Sequence, residues 1–425
     1  METLAALADN PERYAPSIHI AGSKGKGSVT AMIAAALEAD GRRPARYMSP
    51  HVSDFRERLC AGSSFFDEEI YCAAGDELRE IVELKLPKAH SDLFDPACKD
   101  GEAPTYFELL TLLFFLCARR ADCDALVVET GMGGRLDSTN VIEPLASVIS
   151  LIELEHTKFL GDTLAKVAGE KAGIIKTGKP LVLAQQCAEA LDVFVKKAGE
   201  KSSPLIYFPD TAQISALDVH CDGTDFTLAA VQGSARGQAL FPQPLNLSIA
   251  IPGAVQAENA ALAVTALKTA FPVTRDESIR RGLANLRIPA RFEKIADKPP
   301  LIIDGAHTPE SASLCAGTFC SLYGDGGILL FGCAADKDAR AMAEILLPCF
   351  SAAVITTPGT FKISDPEKAY AAFASCRAGA GKTVYEKDTG RAIQRALELS
   401  RRKKLPLLAT GSFYLAAEIR DFVLR

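Results

Sequence analysis

A glycine-rich loop near the amino terminus carries the residue types that bind phosphate. The segment HIAGSKGKGSVTA, residues 19–31, places Gly25, Lys26, Gly27 and Ser28 between an apolar start and a helix-like run. A strand, a glycine-rich turn and a helix N-terminus together make an anion site, because backbone N–H groups and the helix dipole converge on the ligand. The match to G-x-x-x-x-G-K-[ST] is imperfect, since no glycine lies five residues before Gly25 and Gly27 follows Lys26. A turn that binds nothing remains an alternative.

Three further residues could do chemistry beside such a loop. Glu129 ends the apolar run ALVVE, where a buried carboxylate needs a partner, either a functional one or an arginine such as Arg135. His156 is equally typical of a hydrogen-bonded core histidine, and imidazole is not a preferred Mg²⁺ ligand. Lys171 would serve as well in an ordinary salt bridge.

The pattern around these residues predicts a parallel sheet. Between 18 and 180, short apolar runs alternate with helical patterns, which is typical of strands joined by crossover helices. The predicted strands are SIHI, ARYM, ALVVE and ASVISLIEL, and the helix after the loop stops before Gly41. Carboxyl ends of strands border the ligand crevice in such sheets, so Glu129 and the segment around His156 are expected near the loop.

Two further patterns define the rest of the chain. Thr105 and Glu108 form a capping-box signature that starts the buried core helix LLTLLFFLCA, and DVHCDGTDFTLA has the alternation and Asp-Gly turn of an antiparallel hairpin. After RIPARFEK the β/α alternation starts again. We therefore expect an α/β protein of two domains, 1–286 and 287–425. The first has a P-loop-type, mainly parallel sheet with flanking helices and an antiparallel portion; the second is smaller and Rossmann-like.

Composition excludes several classes of function. The chain has 425 residues, a net charge of −6 and a pI near 5.7, which argues against a nucleic-acid surface. The longest apolar stretch is about half a membrane span. Twelve cysteines without a CxxC pair, and no signal-like start, indicate reduced thiols in a cytoplasmic protein.

Collinear motifs then give a resemblance to a known family. The loop variant G-x-x-G-K-G-S, the segments MSPHVSDFRERL, VVETGMGGRLDSTNVI and LEHTKFLGDTLAKVAGEKAGIIK, and later GAVQAENAALA, PARFE, DGAHTP, FGCAADKD and TGSFYLAAE run in order from residue 19 to 418. They resemble the folylpolyglutamate synthase/dihydrofolate synthase family of the Mur ligase superfamily.

The resemblance implies a metal and carbamate centre. Ser49, Glu129 and His156 would be ligands of two Mg²⁺ ions, with Glu129 serving both. Lys171, in the context EKAGI, would be carbamylated by CO₂, which turns its positive head into an oxygen-bearing anion that bridges to the second Mg²⁺. A K⁺ ion is a further possibility in this family.

The resemblance also implies the reaction and the remaining site residues. ATP would phosphorylate a carboxylate of a folate or dihydropteroate, and the amine of L-glutamate would displace the phosphate. Asn259 and Asp304 would hold the nucleoside, Arg291 the phosphates, and His307 would work near the incoming glutamate. A linker salt bridge for Arg291 and a simple turn at Asp304 are the alternatives. The candidates on the pterin side are Phe107, Arg135 and Asp137.

Departures from the family pattern put substrate preference in question. Lys24 and Thr308 both stand where asparagine is usual, Val255 replaces a common histidine, and Glu155 replaces an aspartate. Two other functions are compatible with parts of the sequence: a Mur-type amide ligase for another carboxylate and amino acid, and a P-loop nucleotide switch. The family pattern implies a monomer.

Overall fold

The computed structural model describes residues 1–86, 103–359, 363–379 and 381–424. Its strands are β1 Ser17–Ala21, β2 Pro44–Tyr47, β3 Leu59–Ala61, β4 Ser64–Phe65, β5 Ala125–Glu129, β6 Ala146–Ile149, β7 Leu181–Leu183, β8 Leu205–Tyr207, β9 Ala212–His220, β10 Gly223–Ala230, β11 Leu245–Ile249, β12 Glu293–Asp297, β13 Pro300–Ile303, β14 Gly327–Phe331, β15 Phe350–Ile355, β16 Thr383–Tyr385 and β17 Leu407–Thr410.

The α-helices alternate with these strands. They are α1 Glu2–Leu7, α2 Lys26–Ala39, α3 Glu68–Glu80, α4 Tyr106–Arg120, α5 Thr157–Leu160, α6 Leu164–Lys171, α7 Ala188–Glu200, α8 Phe208–Thr211, α9 Ala235–Leu240, α10 Ala254–Ala270, α11 Asp276–Asn285, α12 Pro309–Tyr323, α13 Ala339–Leu346, α14 Pro366–Ser375, α15 Thr389–Lys403 and α16 Phe413–Leu424. Within the described ranges, no helix combines the length and the apolar character needed to cross a membrane.

An eight-stranded sheet forms the first half, in the order β4-β3-β2-β5-β1-β6-β7-β8. Strands β2, β5, β1, β6, β7 and β8 are parallel to one another, and β3 and β4 add an antiparallel edge. The parallel strands are mostly apolar and largely buried because helices cover both faces. Pairing of Ile20 with Glu129 brings the carboxyl end of β5 level with the end of β1.

The helix after the glycine loop is confirmed as α2. Its residues from Gly27 to Leu37 are all buried, between the sheet on one side and α10 and α11 on the other. The capping box of Thr105 and Glu108 at the start of α4 is also confirmed, as is the burial of this helix. The hairpin is formed by β9 and β10, and β11 completes an antiparallel sheet of three strands.

A second sheet of six strands follows, in the order β12-β13-β17-β14-β15-β16. All of its pairs are parallel except β12 with β13. The predicted α/β fold class is therefore confirmed. The sheet begins at Glu293, just after the domain boundary that we place at 286/287.

Several strands of the two sheets differ in length or position from the sequence-based prediction. The predicted strand ASVISLIEL ends at Ile149, because the chain then leaves the sheet toward the glycine loop, where Leu151 accepts a hydrogen bond from the N–H of Ser23. Strands β3, β4 and β16 have only two or three residues each, which is too few to show a period. The eleven cysteines that the structure describes are free thiols, as predicted; Cys98 lies outside the described residues.

Candidate active site

The glycine loop joins β1 to α2 through two residues with positive φ. Gly22 has φ +147° and Gly25, the N-cap of α2, has φ +85°. A Cβ atom at Gly25 would collide with the side-chain amide oxygen of Asn259, and one at Gly22 with the hydroxyl of Ser150. The loop thus needs glycine at both positions, for backbone angle and for space.

Two lysines converge on this loop. The Nζ of Lys26 donates to the carbonyl oxygen of Gly22 at 2.7 Å, and the Nζ of Lys171 donates to the same oxygen at 2.8 Å. Lys171 is 1% exposed and also pairs with Glu155, Nζ to Oε1 at 2.7 Å. Burial, followed by the charge of Lys26, lowers the pKa of Lys171 to about 8. The loop therefore collects positive charge at the N-terminus of α2.

Burial by itself would raise the pKa of Glu155, but the charges of Lys26 and Lys171 outweigh it and lower that pKa. Glu155 is thus ionised between the two lysines. His156 follows it with a left-handed backbone, φ +47°, and its exposed ring lies at the edge of the same cavity.

Glu129 lies beyond the loop at the end of β5. Its side chain is buried, and Oε2 accepts a hydrogen bond from the backbone N–H of Ser49 at 3.1 Å. Burial raises the pKa of Glu129 to about 7, although Lys26 and the Ser49 N–H act in the opposite direction. Among the described residues Glu129 makes no ion pair, so this buried carboxylate offers oxygen atoms of the kind that a bound cation needs.

The second half of the chain brings an arginine and an aspartate to the same place. Asp304 follows β13, and its carboxylate accepts from the backbone N–H groups of Phe292 and Ala306, both at 2.8 Å. Burial raises the pKa of Asp304, against the charge of Arg291. The guanidinium of Arg291 lies 4.4 Å from the ring centroid of Phe413, which fixes its direction across the gap between the two halves.

His307 is held as a neutral imidazole. Its Nδ1 lies 2.8 Å from the carbonyl oxygen of Gly305, and because a carbonyl only accepts, Nδ1 carries the hydrogen. Burial lowers the pKa of His307 to about 4. Nε2 is thus unprotonated at neutral pH and can accept a hydrogen bond from an amine.

These groups surround one cavity of about 280 Å³, which we call the loop cavity. The predicted residues that line it are Gly25, Lys26, Gly27, Ser28, Ser49, Glu129, His156, Asn259, Arg291, Asp304 and His307. Lys171 lies just behind the cavity wall, where its Nζ donates hydrogen bonds to Gly22 and Glu155. Residues more than 280 positions apart therefore meet in a single space.

The three pterin-side candidates lie outside the lining of this cavity. Phe107 packs 5.8 Å from the ring of Tyr47 and against Gly131. Arg135 is ion-paired with Glu170 at 3.0 Å. Asp137 caps the 3₁₀ turn Ser138–Val141 and accepts from the N–H of Met132. Their role toward a pterin stays a prediction.

Three contacts of the site escape sequence reasoning. Glu155 pairs with Lys171, Phe413 lies under Arg291, and the Nζ of Lys24 donates to the hydroxyl of Thr308 at 3.2 Å. No local spacing predicts any of them. The last joins Lys24 and Thr308, two of the four positions where the sequence departs from the family pattern.

The fold and this two-sided cavity define an ATP-dependent ligase of the Mur type. The family model described as Mur ligase, glutamate ligase domain matches residues 290–413. The chain is 32% identical to the folylpolyglutamate synthase of Lacticaseibacillus casei over 428 residues, covering 99% of this chain and 93% of that protein. It is 31% identical to the dihydrofolate synthase/folylpolyglutamate synthase of Bacillus subtilis, covering 81% and 77%.

A solved structure is similar over the whole chain. The Mycobacterium tuberculosis folylpolyglutamate synthase complexed with ADP and AMPPCP has a TM-score of 0.88 at 28% identity, covering 100% of this chain and 94% of that one. The chain belongs to the folylpolyglutamate synthase/dihydrofolate synthase family.

Proposed function

We propose that this protein uses ATP to join L-glutamate to the glutamyl carboxylate of a folate, as a folylpolyglutamate synthase. The observation that carries the proposal is the loop cavity, where a phosphate loop faces an arginine and a neutral histidine from the other half of the chain. Dihydropteroate is a second acceptor, since the Bacillus subtilis relative is named for both activities.

The chain's own residues account for the first half of the reaction. Backbone N–H groups at the start of α2 and the ammonium of Lys26 hold the phosphates, and Arg291 neutralises charge from the opposite side. Transfer of the γ-phosphoryl group to the acceptor carboxylate gives an acyl phosphate and ADP. This step needs positioning and charge neutralisation more than covalent help from the protein.

His307 belongs to the second half of the reaction. Its Nε2 accepts a hydrogen bond from the incoming glutamate amine, which orients the nitrogen toward the carbonyl carbon of the acyl phosphate. The N–C bond forms, the C–O bond to phosphate breaks, and the amine proton leaves with the phosphate. Asn259 and Asp304 line the cavity on the side where we place the nucleoside.

Magnesium fits the residues at Glu129. The buried carboxylate and the hydroxyl of Ser49 are oxygen donors of the kind that Mg²⁺ prefers, and His156 stands at the cavity edge as a further donor. We propose that these residues hold two Mg²⁺ ions, which would neutralise phosphate charge. No described contact singles out a K⁺ site, so K⁺ stays a prediction.

We further propose that Lys171 carries a carbamate formed with CO₂. The lowered pKa of Lys171 makes the neutral amine that reacts with CO₂ more available, and Lys26 would stabilise the resulting anion. The carbamate nitrogen carries a single hydrogen, so only one of the two present acceptors, Gly22 or Glu155, could keep its hydrogen bond.

The test is phosphate release by the purified protein with MgATP and bicarbonate. The reactions contain glutamate with tetrahydrofolate, glutamate with dihydropteroate, or neither acceptor, and products are weighed by mass spectrometry. A glutamate-sized mass gain on tetrahydrofolate supports the proposal, and a gain on both acceptors supports the bifunctional enzyme. Phosphate release at the same rate with and without an acceptor would instead identify a nucleotide switch.

A further inference from the structure

Two cysteines and an aspartate converge at the end of α12 that is remote from the loop cavity. Cys320 lies in the last turn of this helix, Asp325 in the short loop that leads to β14, and Cys349 in the 3₁₀ turn before β15. Their two sulfur atoms and a carboxylate oxygen lie within 4.8 Å of one another. We call these three residues the thiol cluster. Among the residues that the structure describes, no other set of three such donors comes this close together.

The backbone holds the three donors in place. The N–H of Gly324 donates to the carbonyl oxygen of Cys320 at 2.9 Å, and the N–H of Gly326 donates to that of Cys349 at 2.8 Å. Both glycines have positive φ, +76° and +95°, so the chain turns sharply on each side of Asp325. The loop is thus tied to the backbone of both cysteines, and its aspartate is kept beside their side chains.

The thiol cluster is sheltered on one side and open on the other. Cys320 and Cys349 are half-buried and pack against the core that contains Phe319 and Phe350, whereas Asp325 is exposed. The sulfur atoms therefore have an apolar wall behind them, and water reaches the donors from the front. A cation can enter from this side and keep a water ligand.

The cluster is separate from the machinery of the proposed reaction. Helix α12 has 15 residues and is therefore about 22 Å long. His307, which lines the loop cavity, lies just before its first turn, whereas Cys320 lies in its last turn. None of the three cluster residues lines the loop cavity.

The chemistry of the donors favours a thiophilic divalent cation. Soft thiolate ligands select Zn²⁺ over Mg²⁺ or Ca²⁺, and Zn²⁺ also accepts carboxylate oxygen in its tetrahedral shell. With Zn–S distances of about 2.3 Å, the two sulfur atoms of a tetrahedral site lie about 3.8 Å apart. Donor atoms no more than 4.8 Å apart therefore have at most about 1 Å to close.

We infer that the thiol cluster binds Zn²⁺ through Cys320, Cys349 and Asp325, with a water molecule as the fourth ligand. On binding, each thiol loses its proton to solvent and forms a Zn–S bond, and no group is oxidised or reduced. The bound ion joins the end of α12 to the turn before β15 and stabilises this part of the second sheet. The inference is independent of the proposed function.

A titration with Co²⁺, used as a spectroscopic probe for Zn²⁺, tests the inference. The reduced protein is kept in excess Mg²⁺, which competes for the oxygen donors at Glu129. We expect a thiolate-to-Co²⁺ charge-transfer band in the near ultraviolet that one Co²⁺ ion per protein saturates and added Zn²⁺ abolishes. Co²⁺ held only by oxygen and nitrogen donors, as at Glu129 and His156, gives no such band.

Ligand variants identify the donors. Cys320→Ser and Cys349→Ser should each weaken the charge-transfer band and lower the affinity for Zn²⁺ by at least about a hundredfold, because loss of an outer-shell partner alone lowers metal affinity about ten- to a hundredfold. Asp325→Asn, in an exposed loop, should lower the affinity by at least about tenfold. Cys376→Ser is the matched control, since this half-buried cysteine packs against the same core outside the cluster. Its band and affinity should equal those of the wild-type protein.

Thermal melts supply a readout that does not depend on the spectrum. Zn²⁺ should raise the melting temperature of the wild-type protein and of Cys376→Ser, and it should have little effect on Cys320→Ser or Cys349→Ser, since a ligand stabilises the fold only where it binds. The same melts verify that each variant folds. A wild-type protein without the charge-transfer band, or a band of equal strength in the cluster variants and the wild-type protein, would overturn the inference.

Discussion

At the scale of single residues, the site is a set of buried charges that only partly neutralise one another. Lys26 and Lys171 share one carbonyl oxygen, Glu155 pairs with Lys171, and Glu129 has no ion-pair partner among the described residues. Buried charges are costly unless paired, so this arrangement is expected to bind further charged groups when the enzyme works.

The first prediction concerns Lys171. Lys171→Met removes the amine that would take up CO₂, and we expect kcat/KM to fall by about a hundredfold or more, as for other groups that stabilise charge in a transition state. ¹³C-labelled bicarbonate should give a carbamate signal in the wild-type protein by NMR that the variant lacks. Lys166→Met is the control, because Lys166 is a surface lysine paired with Asp162. Full activity of Lys171→Met would refute its role.

The second prediction concerns a histidine outside the site. His19 is fully buried, its Nε2 lies 2.8 Å from the hydroxyl of Thr139, and burial lowers its pKa from 6.5 to about 3. Between these two values the unfolded chain binds a proton that the folded chain does not. The contribution of neutral His19 to the free energy of unfolding is therefore fully present above pH 6.5. It is lost as the pH falls toward 3, by about 1.4 kcal/mol per pH unit.

Urea unfolding at neutral and mildly acidic pH measures this effect. His19→Gln, which keeps a donor toward Thr139, should make the free energy of unfolding less sensitive to acid than in the wild-type protein. His220→Gln, at a half-buried histidine at the end of β9, is the control substitution. Equal acid sensitivity in all three proteins would contradict the assignment.

At the scale of elements, the loop and its helix depend on a backbone angle. Gly25→Ala forces a side chain onto φ +85° and into the amide of Asn259. We expect weaker ATP binding, by about tenfold, from strain of about 1 kcal/mol or more together with displacement of Asn259. Isothermal titration with ATP measures it.

Gly41 supplies a matched control for this prediction. It has φ +91° just after α2, but a Cβ there meets no atom within 4 Å. Gly41→Ala should therefore cost stability without weakening ATP binding. If both variants bind ATP equally, the contact with Asn259 is irrelevant to the nucleotide.

The helices and strands that carry the site could largely be predicted from the sequence, but the side-chain contacts between distant segments could not. Strands β1 and β5 follow from short apolar runs, and helix α2 follows from its helical period and its end before Gly41. The rule for strand ends places Glu129 beside the loop. The partners Glu155 and Phe413 could not be found this way, because their contacts depend on how loops return from distant sheets. Thr308 and Lys24 are 284 residues apart.

At the scale of the whole molecule, the contact between Lys24 and Thr308 ties the two halves together. Lys24→Met removes the donor while the hydroxyl of Thr308 still caps α12 through Ser311. A hydrogen bond from a charged group contributes up to about 3 kcal/mol, so we expect KM for ATP to rise several-fold. Hydrogen exchange at residues 304–311 should become faster.

Thr308→Ser is the companion variant. It keeps both the hydroxyl and the cap, so KM for ATP and hydrogen exchange should stay close to those of the wild-type protein. An unchanged KM for ATP in Lys24→Met would show that this contact does not support nucleotide binding.

Arg291 and Phe413 line both the loop cavity and a neighbouring cavity of about 660 Å³, and this shared wall has a thermodynamic consequence. With a nucleotide in the loop cavity and an acceptor in the neighbouring one, the first ligand to bind would order the Arg291 guanidinium on the Phe413 ring. The second ligand would then lose less entropy on binding. By thermodynamic linkage, the factor by which bound nucleotide raises the affinity for the acceptor equals the factor by which bound acceptor raises the affinity for the nucleotide. We therefore expect positive cooperativity between nucleotide and acceptor, so that the affinity of either ligand measured alone is lower than its affinity in the working complex.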